Sequence, residues 1–400
     1  MMGSASETRE PRATGLSVDE VTNAEQLAAV QPQWLALVEA GASGANVHND
    51  PRLVATSIVS SPGRSMRVLL VRRGEALVSV APFYIEERNI GWQLSVWRLA
   101  RFRARVLRLF GESVIVADRA LVADVVRAIA GHLRTSKGWG DFMFVDGLRV
   151  CDPFWMGALE GAAFSSCTGW QTRAQRPQKV HCTRLFSNFD AYCASLSPSS
   201  RSNLRRTRRR LFEDPAVRLE IVTDSRSAGR LAAWLDEVRS RSWQGKTFGD
   251  AGRYASSVPD LRVAGEQGWL RSYVLLRGDE PVAYEHGYLY RGTYYGLDCA
   301  YRQQDAAQGP GSVLLFSVIE DLHRIGNTTE IDFGFGDLPY KRTFGNVEHD
   351  AAIYSFVPLN RWRLFFALQG ALTRAYDEVR RMLVALGLDR LVRRLVKRQR

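Results

Sequence analysis

"YVLLRGDEPVAYEHGYLY", residues 273–290, reads as a strand, an Arg-Gly-acid turn and a second strand. Valine, leucine and tyrosine dominate both arms, and Gly278 sits where the chain must reverse. "VLLVRRGEALVSVAPFY" at 68–84 has the same plan, with Gly74 at the matching turn. A second pair follows in the same order: "HLRTSKGWGDFMFVDGL" at 132–148 and "DLHRIGNTTEIDFGFGDL" at 321–338. In each, an apolar-periodic helix ends near a glycine, and an alternating strand closes in Asp-Gly-Leu or Gly-Asp-Leu. Two echoes in one order predict a duplicated α/β unit rather than chance likeness between hairpins. The expected class is mixed α/β (α+β): tandem units, each a mostly antiparallel twisted sheet flanked by helices. The boundaries expected are 1–16 for a disordered tail, 17–180 and 181–360 for the two units, and 361–400 for a basic amphipathic C-terminal helix.

The second unit gives the fuller map. Ser197 and Pro198 open a helix over about 198–213. "VRLEIVTD" is a strand, and Leu231, Trp234, Leu235 and Val238 share one face of the helix after it. Three strands form a meander up to Tyr301, "GPGSVLLFSVIEDLHRIG" is a glycine-led helix, "TEIDFGF" returns a strand, and "AAIYSFVPL" is the last strand. Beyond it, 361–400 reads as helical, broken near Gly387.

Four hundred residues, 46% apolar and 24% charged, exclude a disordered chain and exceed one ordinary core. The polar start has no apolar segment of a signal peptide, and no run reaches the roughly 18 to 20 apolar residues of a membrane span. Five cysteines without CxxC spacing and six scattered histidines predict free thiols, a cytoplasmic location and no metal. The net charge of +12 is uneven. Arg201, Arg205, Arg206, Arg208, Arg209 and Arg210 crowd one helix. Further clusters lie at 98–108 and 390–400. These favour an anionic partner: phosphate, nucleic acid or a membrane face.

Four constellations could carry chemistry. Gly309, Pro310 and Gly311 lead into a helix, which suits either a tight turn or a cradle for a diphosphate on the helix N-terminus. Asp337, Tyr340 and Lys341 sit at or just past a strand end, where a tyrosine could protonate a leaving thiolate, or where both could be plain loop residues. Glu285, His286 and Asp298 lie in apolar strands, as structural pairs or as bases with raised pKa. On the arginine helix, Arg201, Arg205 and Arg208 share a face that is either solvated or set against phosphate.

Taken in order, "SPSSRSNLRRTRRRL", "SRSWQGKTFG", "YRQQDAAQGPGSVLL" and "IDFGFGDLPYKRTFGN" resemble successive motifs of the GNAT-like acyltransferases grouped with the cellulose-biosynthesis protein CelD, a family similar to the Fem peptidyltransferases. The resemblance covers roughly 190–360. It implies tandem GNAT units and transfer of an acyl group, most simply acetyl, from acetyl-CoA or another acyl-CoA to an amine or sugar amine, with a link to polysaccharide or envelope biosynthesis. It implies that Gly309, Gly311 and Ser312 cradle the pyrophosphate and that Tyr340 and Lys341 lie at the reaction centre. Asp298 and Glu285 are the candidate bases from the residues themselves. Asp337, Trp243, His286 and Arg205 are expected to contact substrate. Two departures stand out: Gly309 replaces the usual serine, and Ala306 stands where an Arg or Gln is expected. Two other functions fit the same features: aminoacyl transfer from tRNA, and a non-catalytic role in polysaccharide assembly with the C-terminal helix on the inner face of the membrane.

Overall fold

The computed structural model describes residues 15–61, 63–94, 97–149, 151–248 and 252–385. In the N-terminal half, the strands are β1 (Leu16–Val21), β2 (Arg64–Arg73), β3 (Ala76–Leu94), β4 (Trp97–Leu109), β5 (Ile115–Val116) and β6 (Phe142–Arg149). The helices there are α1 (Ala24–Glu39), α2 (Pro51–Val59), α3 (Val122–Thr135), α4 (Pro153–Leu159) and α5 (Ala163–Thr168). The chain continues through β7 (Gln171–Ala174), β8 (Gln178–Arg184), α6 (Phe189–Ser195), α7 (Pro198–Phe212), β9 (Val217–Val222), α8 (Ala228–Ser240), α9 (Trp243–Phe248) and α10 (Val258–Glu266). The meander β10 (Ser272–Arg277), β11 (Glu280–Tyr290) and β12 (Thr293–Tyr301) leads to α11 (Pro310–Ile325), β13 (Glu330–Asp332), α12 (Pro339–Phe344), β14 (Val347–Val357) and α13 (Arg361–Ala385).

The described strands form one sheet in the order β1-β2-β3-β4-β6-β14-β8-β13-β12-β11-β10-β9. β14 pairs with β6 along one stretch and with β8 along another, so it joins the halves. The predicted echoes occupy equivalent places. Hairpin β2–β3 turns at Gly74 (φ +58°) and hairpin β10–β11 at Gly278 (φ +61°), left-handed conformations that glycine adopts without strain. Each half has one short parallel pair amid antiparallel ones: β4 with β6, and β12 with β13. The crossover helices are α3 and α11. The mixed α/β fold, with two halves of matching strand order, follows the sequence pattern.

Packing explains the helices. α11 buries Val313, Leu314, Phe316, Val318, Ile319 and Leu322, and so sits inside the C-terminal half. α7 buries only Leu204 and Leu211, two turns apart on one face, and leaves its other faces to arginine. Leu27, Trp34 and Val54 of α1 and α2 share a cluster with Leu231, Leu235 and Leu261 of α8 and α10. Each such side chain removed from water contributes about 1.5–3 kcal/mol, so the halves are fastened by a common core.

The structure corrects three details. β13 ends at Asp332 rather than continuing through Phe335, because Gly334 (φ +70°) and Gly336 (φ +104°) turn the chain. Tyr340 and Lys341 consequently lie on α12, which Pro339 starts, and not at a strand tip. Leu16, assigned to the tail, opens β1 against Arg73. Residues 1–14, the basic cluster at 390–400 and the break expected near Gly387 lie outside the described residues.

Candidate active site

β12 and β13 run parallel for only three pairs, from Thr293↔Glu330 to Tyr295↔Asp332. Past that point β12 continues to Tyr301 while β13 turns away, and a slot opens between them. A register shift on β12 near Leu297 marks its inner end. Here Gly296 is required: a Cβ would lie 2.8 Å from Glu285 Oε1 and 3.3 Å from Asp332 O. Farther along, Cys299 Sγ is 3.5 Å from the Tyr340 hydroxyl, and Gln244 Nε2 donates to Cys299 O at 3.0 Å. The buried Lys341 Nζ donates to Gly334 O (3.0 Å) and Phe335 O (2.9 Å), fixing the turn that forms the opposite wall.

The outer end of the slot is the start of α11. Gly309 (φ +63°) breaks the preceding turn, Pro310 takes the first helical position, and Gly311 allows close contact with the Tyr301 ring, 3.0 Å from where its Cβ would stand. No side chain caps this end and its first turn holds no acid. Among the described residues, the N–H groups of Gly311 and Ser312 have no protein partner. Thr207 of α7 approaches Gly309. Arg206 and Arg210, neighbours of Thr207 on that helix, are exposed and have no carboxylate partner among the described residues. Unpaired N–H groups, the positive helix end and arginines without a carboxylate partner together suit a diphosphate.

The electrostatics sort the acids and bases. Burial pushes Glu285 up to about 8, with repulsion from Asp298 adding to it. Glu285 shares a sheet face with Ala283, toward α11. Asp298 faces the other way. Arg239 Nη1 donates to both its oxygens (2.8 and 2.6 Å), and Tyr254 and Tyr284 donate to Oδ2. Four hydrogen bonds from three donors occupy this carboxylate, so it ties α8 to the sheet. His286 is on that same face, held low at about 4 by burial, its ring nitrogen 2.8 Å from Ser272 Oγ. Asp337 accepts from Arg342 Nε (2.6 Å) and pairs with His181 Nε2 (2.9 Å); Arg342 first and His181 second hold it well below the carboxylate range. Burial drives the Tyr340 hydroxyl and the Cys299 thiol up, so both keep their protons, and lowers Lys341.

Of the residues expected at the site, the slot brings together Glu285, Tyr340 and Lys341 at its inner part and Gly309, Gly311 and Ser312 at its mouth. Asp298 and His286 lie across the sheet, and Asp337 braces α12 against β8. Trp243, half exposed, opens α9. Arg205 is two residues from Thr207, about 200° round the helix, and so points away from the mouth toward Cys193.

On the face opposite α11 the slot meets a cavity of about 740 Å³ between the halves. Gly296, Gly334 and Phe335 line it from one side, His48, Arg108 and Glu112 from the other. An Arg149–Asp332 ion pair crosses from β6 to β13 at its edge. His48 packs edge-to-face on Tyr295, ring centroids 6.0 Å apart, and burial lowers its pKa. Among the described residues, no group of three or more His, Cys, Asp or Glu is arranged for a metal ion.

Residues 198–342 match the acetyltransferase (GNAT) domain family. The C-terminal half carries a GNAT-like acyltransferase domain. No match is found among the curated proteins. By structure, the chain is similar to FemX, with 11% identity, 88% of this chain and 100% of that chain covered, and a TM-score of 0.57. It is also similar to L-PGS from Bacillus licheniformis, with 12% identity, coverage of 86% and 96%, and a TM-score of 0.50. A tandem GNAT protein from the clavulanic acid biosynthesis pathway shares 12% identity over 85% of this chain and 98% of its own, with a TM-score of 0.46. At such identities the likeness to FemX and L-PGS is one of fold. The narrower grouping with CelD rests on the four motifs alone.

The GNAT domain's match ends at Arg342 and leaves out the N-terminal half, whose cavity residues the motifs did not reveal. His48 and Glu112 sit in unremarkable stretches. The available signal was the duplication itself: followed one strand further, it aligns "LFGESV" after β4 with the glycine turn after β12.

Proposed function

We propose that the protein transfers an acyl group, most simply acetyl, from a coenzyme A thioester to an amine or sugar amine held between its halves. The observation that carries this is the end of β12–β13 pairing at Tyr295↔Asp332, with the uncapped α11 start beyond Tyr301 on one side and the inter-half cavity at Gly296 and Gly334 on the other. From Gly296 to Tyr301 is five residues, roughly 17 Å of strand at about 3.4 Å each, a span that an extended pantetheine arm can follow. The N–H groups of Gly311 and Ser312, with Arg206 and Arg210, would hold the phosphates. The thioester carbonyl would then lie near Gly296 and Gly334, facing the cavity.

An amine in the cavity attacks that carbonyl directly. Tyr340, still protonated, donates to the leaving thiolate. Lys341 acts as a positioning residue, since its donors are committed to the turn carbonyls. Cys299 stays a thiol through burial, which argues against a covalent acyl-cysteine step. The unpaired thiols fit a cytoplasmic protein. A role in polysaccharide assembly is supported by the motif resemblance only.

The test is thiol release from acetyl-CoA by the full chain with a panel of primary amines. Amine-dependent release is expected, and Tyr340→Phe should lower kcat by about 10²-fold with KM for acetyl-CoA little changed. Absence of release together with steep, salt-sensitive tRNA binding would replace this reading by aminoacyl transfer.

A peripheral membrane contact is a second, separate element. Trp362, Phe365 and Phe366 seat α13 on the sheet, while Leu364 (64%), Leu368 (48%), Val379 (54%) and Met382 (57%) stay exposed among arginines. Such a helix suits an anionic lipid surface. Among the described residues no helix is long and apolar enough to cross a membrane.

A further inference from the structure

Where the C-terminal half turns from β12 into α11, the N-terminal half turns from β4 toward α3, and that turn faces the cavity. Gly111 (φ +68°) and Glu112 (φ +57°) are both left-handed. For glycine this is ordinary, but for glutamate it is strained and must be enforced by the surroundings. Trp155 Nε1 donates to Glu112 O at 2.7 Å, Asn46 Nδ2 donates to Gly111 O at 3.0 Å, and a Cβ on Gly111 would strike Asn46. The backbone is thus pinned on two sides to aim one carboxylate into the cavity.

Every other acid on the cavity wall has a partner: Asp332 has Arg149, Asp152 has Ser113, Asp260 has Ser57 at 3.1 Å, and Glu330 has Cys182. The Glu112 carboxylate has no hydrogen bond or ion pair among the described residues. A strained acid without a partner, in a cavity that opens on the proposed thioester position, has a chemical rather than a structural place.

We propose that Glu112 takes the proton of the acceptor amine, so that the N-terminal half supplies the base for a donor held by the C-terminal half. The proposal rests on the acyl-transfer reading above. The ammonium N–H bond breaks and its proton passes to the Glu112 carboxylate. The freed nitrogen pair forms the C–N bond, the C–S bond breaks, and the sulfur leaves with its electron pair. The second amine proton balances the thiolate through Tyr340, and Glu112 returns its proton to solvent.

The surroundings set when Glu112 is ready. Burial pushes it up to about 8, and Asp146 on β6 and Asp332 on β13 act the same way, while Arg108 on β4 and Arg149 on β6 oppose them. Asp152 and His48 face the same space. The ionised form is therefore the minor one at pH 7 and becomes the major one above about 8, so the rate should rise with pH over that range.

Thiol release from acetyl-CoA by the full chain tests this with two classes of amine. Ethanolamine and glucosamine carry a proton that must be removed, whereas hydroxylamine is already neutral at pH 7. Glu112→Gln should lower kcat/KM at least about 10²-fold with the first class, leave only the rise toward pH 8 that the amine's own deprotonation gives, and cost hydroxylamine less than about fivefold. Glu112→Asp should keep the pH-dependent rise at a lower rate. If Glu112→Gln folds poorly, Glu112→Gly, suited to the left-handed backbone, replaces it and should melt higher than wild type. Equal losses with both classes, or a rise that keeps its wild-type steepness in Glu112→Gln and flattens in Glu285→Gln, would overturn the proposal. Coenzyme A binding should be unchanged in every Glu112 variant. A wild type that binds no coenzyme A would overturn the acyl-transfer reading itself, and this proposal with it.

Discussion

Between β4 and α3 the N-terminal half folds Phe110–Ser113 into the cavity, adds β5, and reaches α3 through a short 3-10 turn (Arg119–Leu121) that Asp118 caps, with Asp124 in the first turn of α3 itself. Between β12 and α11 the C-terminal half has no cap, no acid in the first turn, and two glycines that leave backbone N–H groups bare. The same place in a duplicated fold has taken two opposite electrostatic forms. An acid in the first helical turn repels phosphate, and a first turn without one attracts it. The cavity-facing turn presents a base where its counterpart presents hydrogen-bond donors. On the reading proposed above, the C-terminal entry suits the donor and the N-terminal turn completes the acceptor side.

The largest expected effect comes from breaking the C-terminal slot. Gly296→Val would drive its side chain into Glu285 and the Asp332 carbonyl, neither of which is a flexible surface group. Thiol release should fall below detection at every amine concentration. Next, Lys341→Met leaves the Gly334 and Phe335 carbonyls without their donor. At roughly 1–3 kcal/mol for each unsatisfied buried group, a clear drop in Tm and a large drop in kcat are expected from melting curves and kinetics.

A sharper use of the comparison is to vary the mouth. The double variant Arg206→Ala, Arg210→Ala should raise KM for acetyl-CoA about tenfold and flatten its salt dependence, while kcat changes little. In the N-terminal half, Arg101→Ala and Arg103→Ala on β4 should leave that KM alone.

A further effect is expected on stability rather than on activity, through Glu285. Its native pKa of about 8 stands above the ordinary carboxyl value of 4.5. The folded state therefore binds more protons than the unfolded state between those values, and stability falls as pH rises through that window, by up to roughly 1.4 kcal/mol per unit. Glu285→Gln should thus raise Tm at pH 8 and leave it nearly unchanged at pH 4.5.

Much of the fold was readable because it repeats. Gly74 and Gly278 mark hairpins whose arms have the same apolar pattern, and the helix-glycine-strand echo falls on the crossover helices and parallel strands. Local signals also found the mouth of the slot, since Gly309–Pro310–Gly311 states a helix start in three residues. The inner site was less readable. β13 was drawn too long because Phe333 and Phe335 keep strand alternation while Gly334 and Gly336 turn the backbone. Asp298 looked like a base because its partners Arg239, Tyr254 and Tyr284 come from a distant helix, a loop and a neighbouring strand. Lys341 could be read as a plain loop residue because nothing local shows that it reaches back to Gly334. Glu112 gave no local sign at all: its strain and its isolation exist only once α4 and the loop at Asn46 pack around it.

The central claim is that the uncapped start of α11 holds the phosphates of the acyl donor. Calorimetric titration of coenzyme A into wild type and Ser312→Glu tests it most directly, because the substitution pushes affinity and stability in opposite directions. A glutamate in the first turn favours the helix dipole, so Tm should hold or rise, while its charge stands against the diphosphate. The account predicts binding to wild type and at least tenfold weaker binding to the variant, about 1.4 kcal/mol. Equal binding by the two proteins, or no binding by wild type, would contradict it.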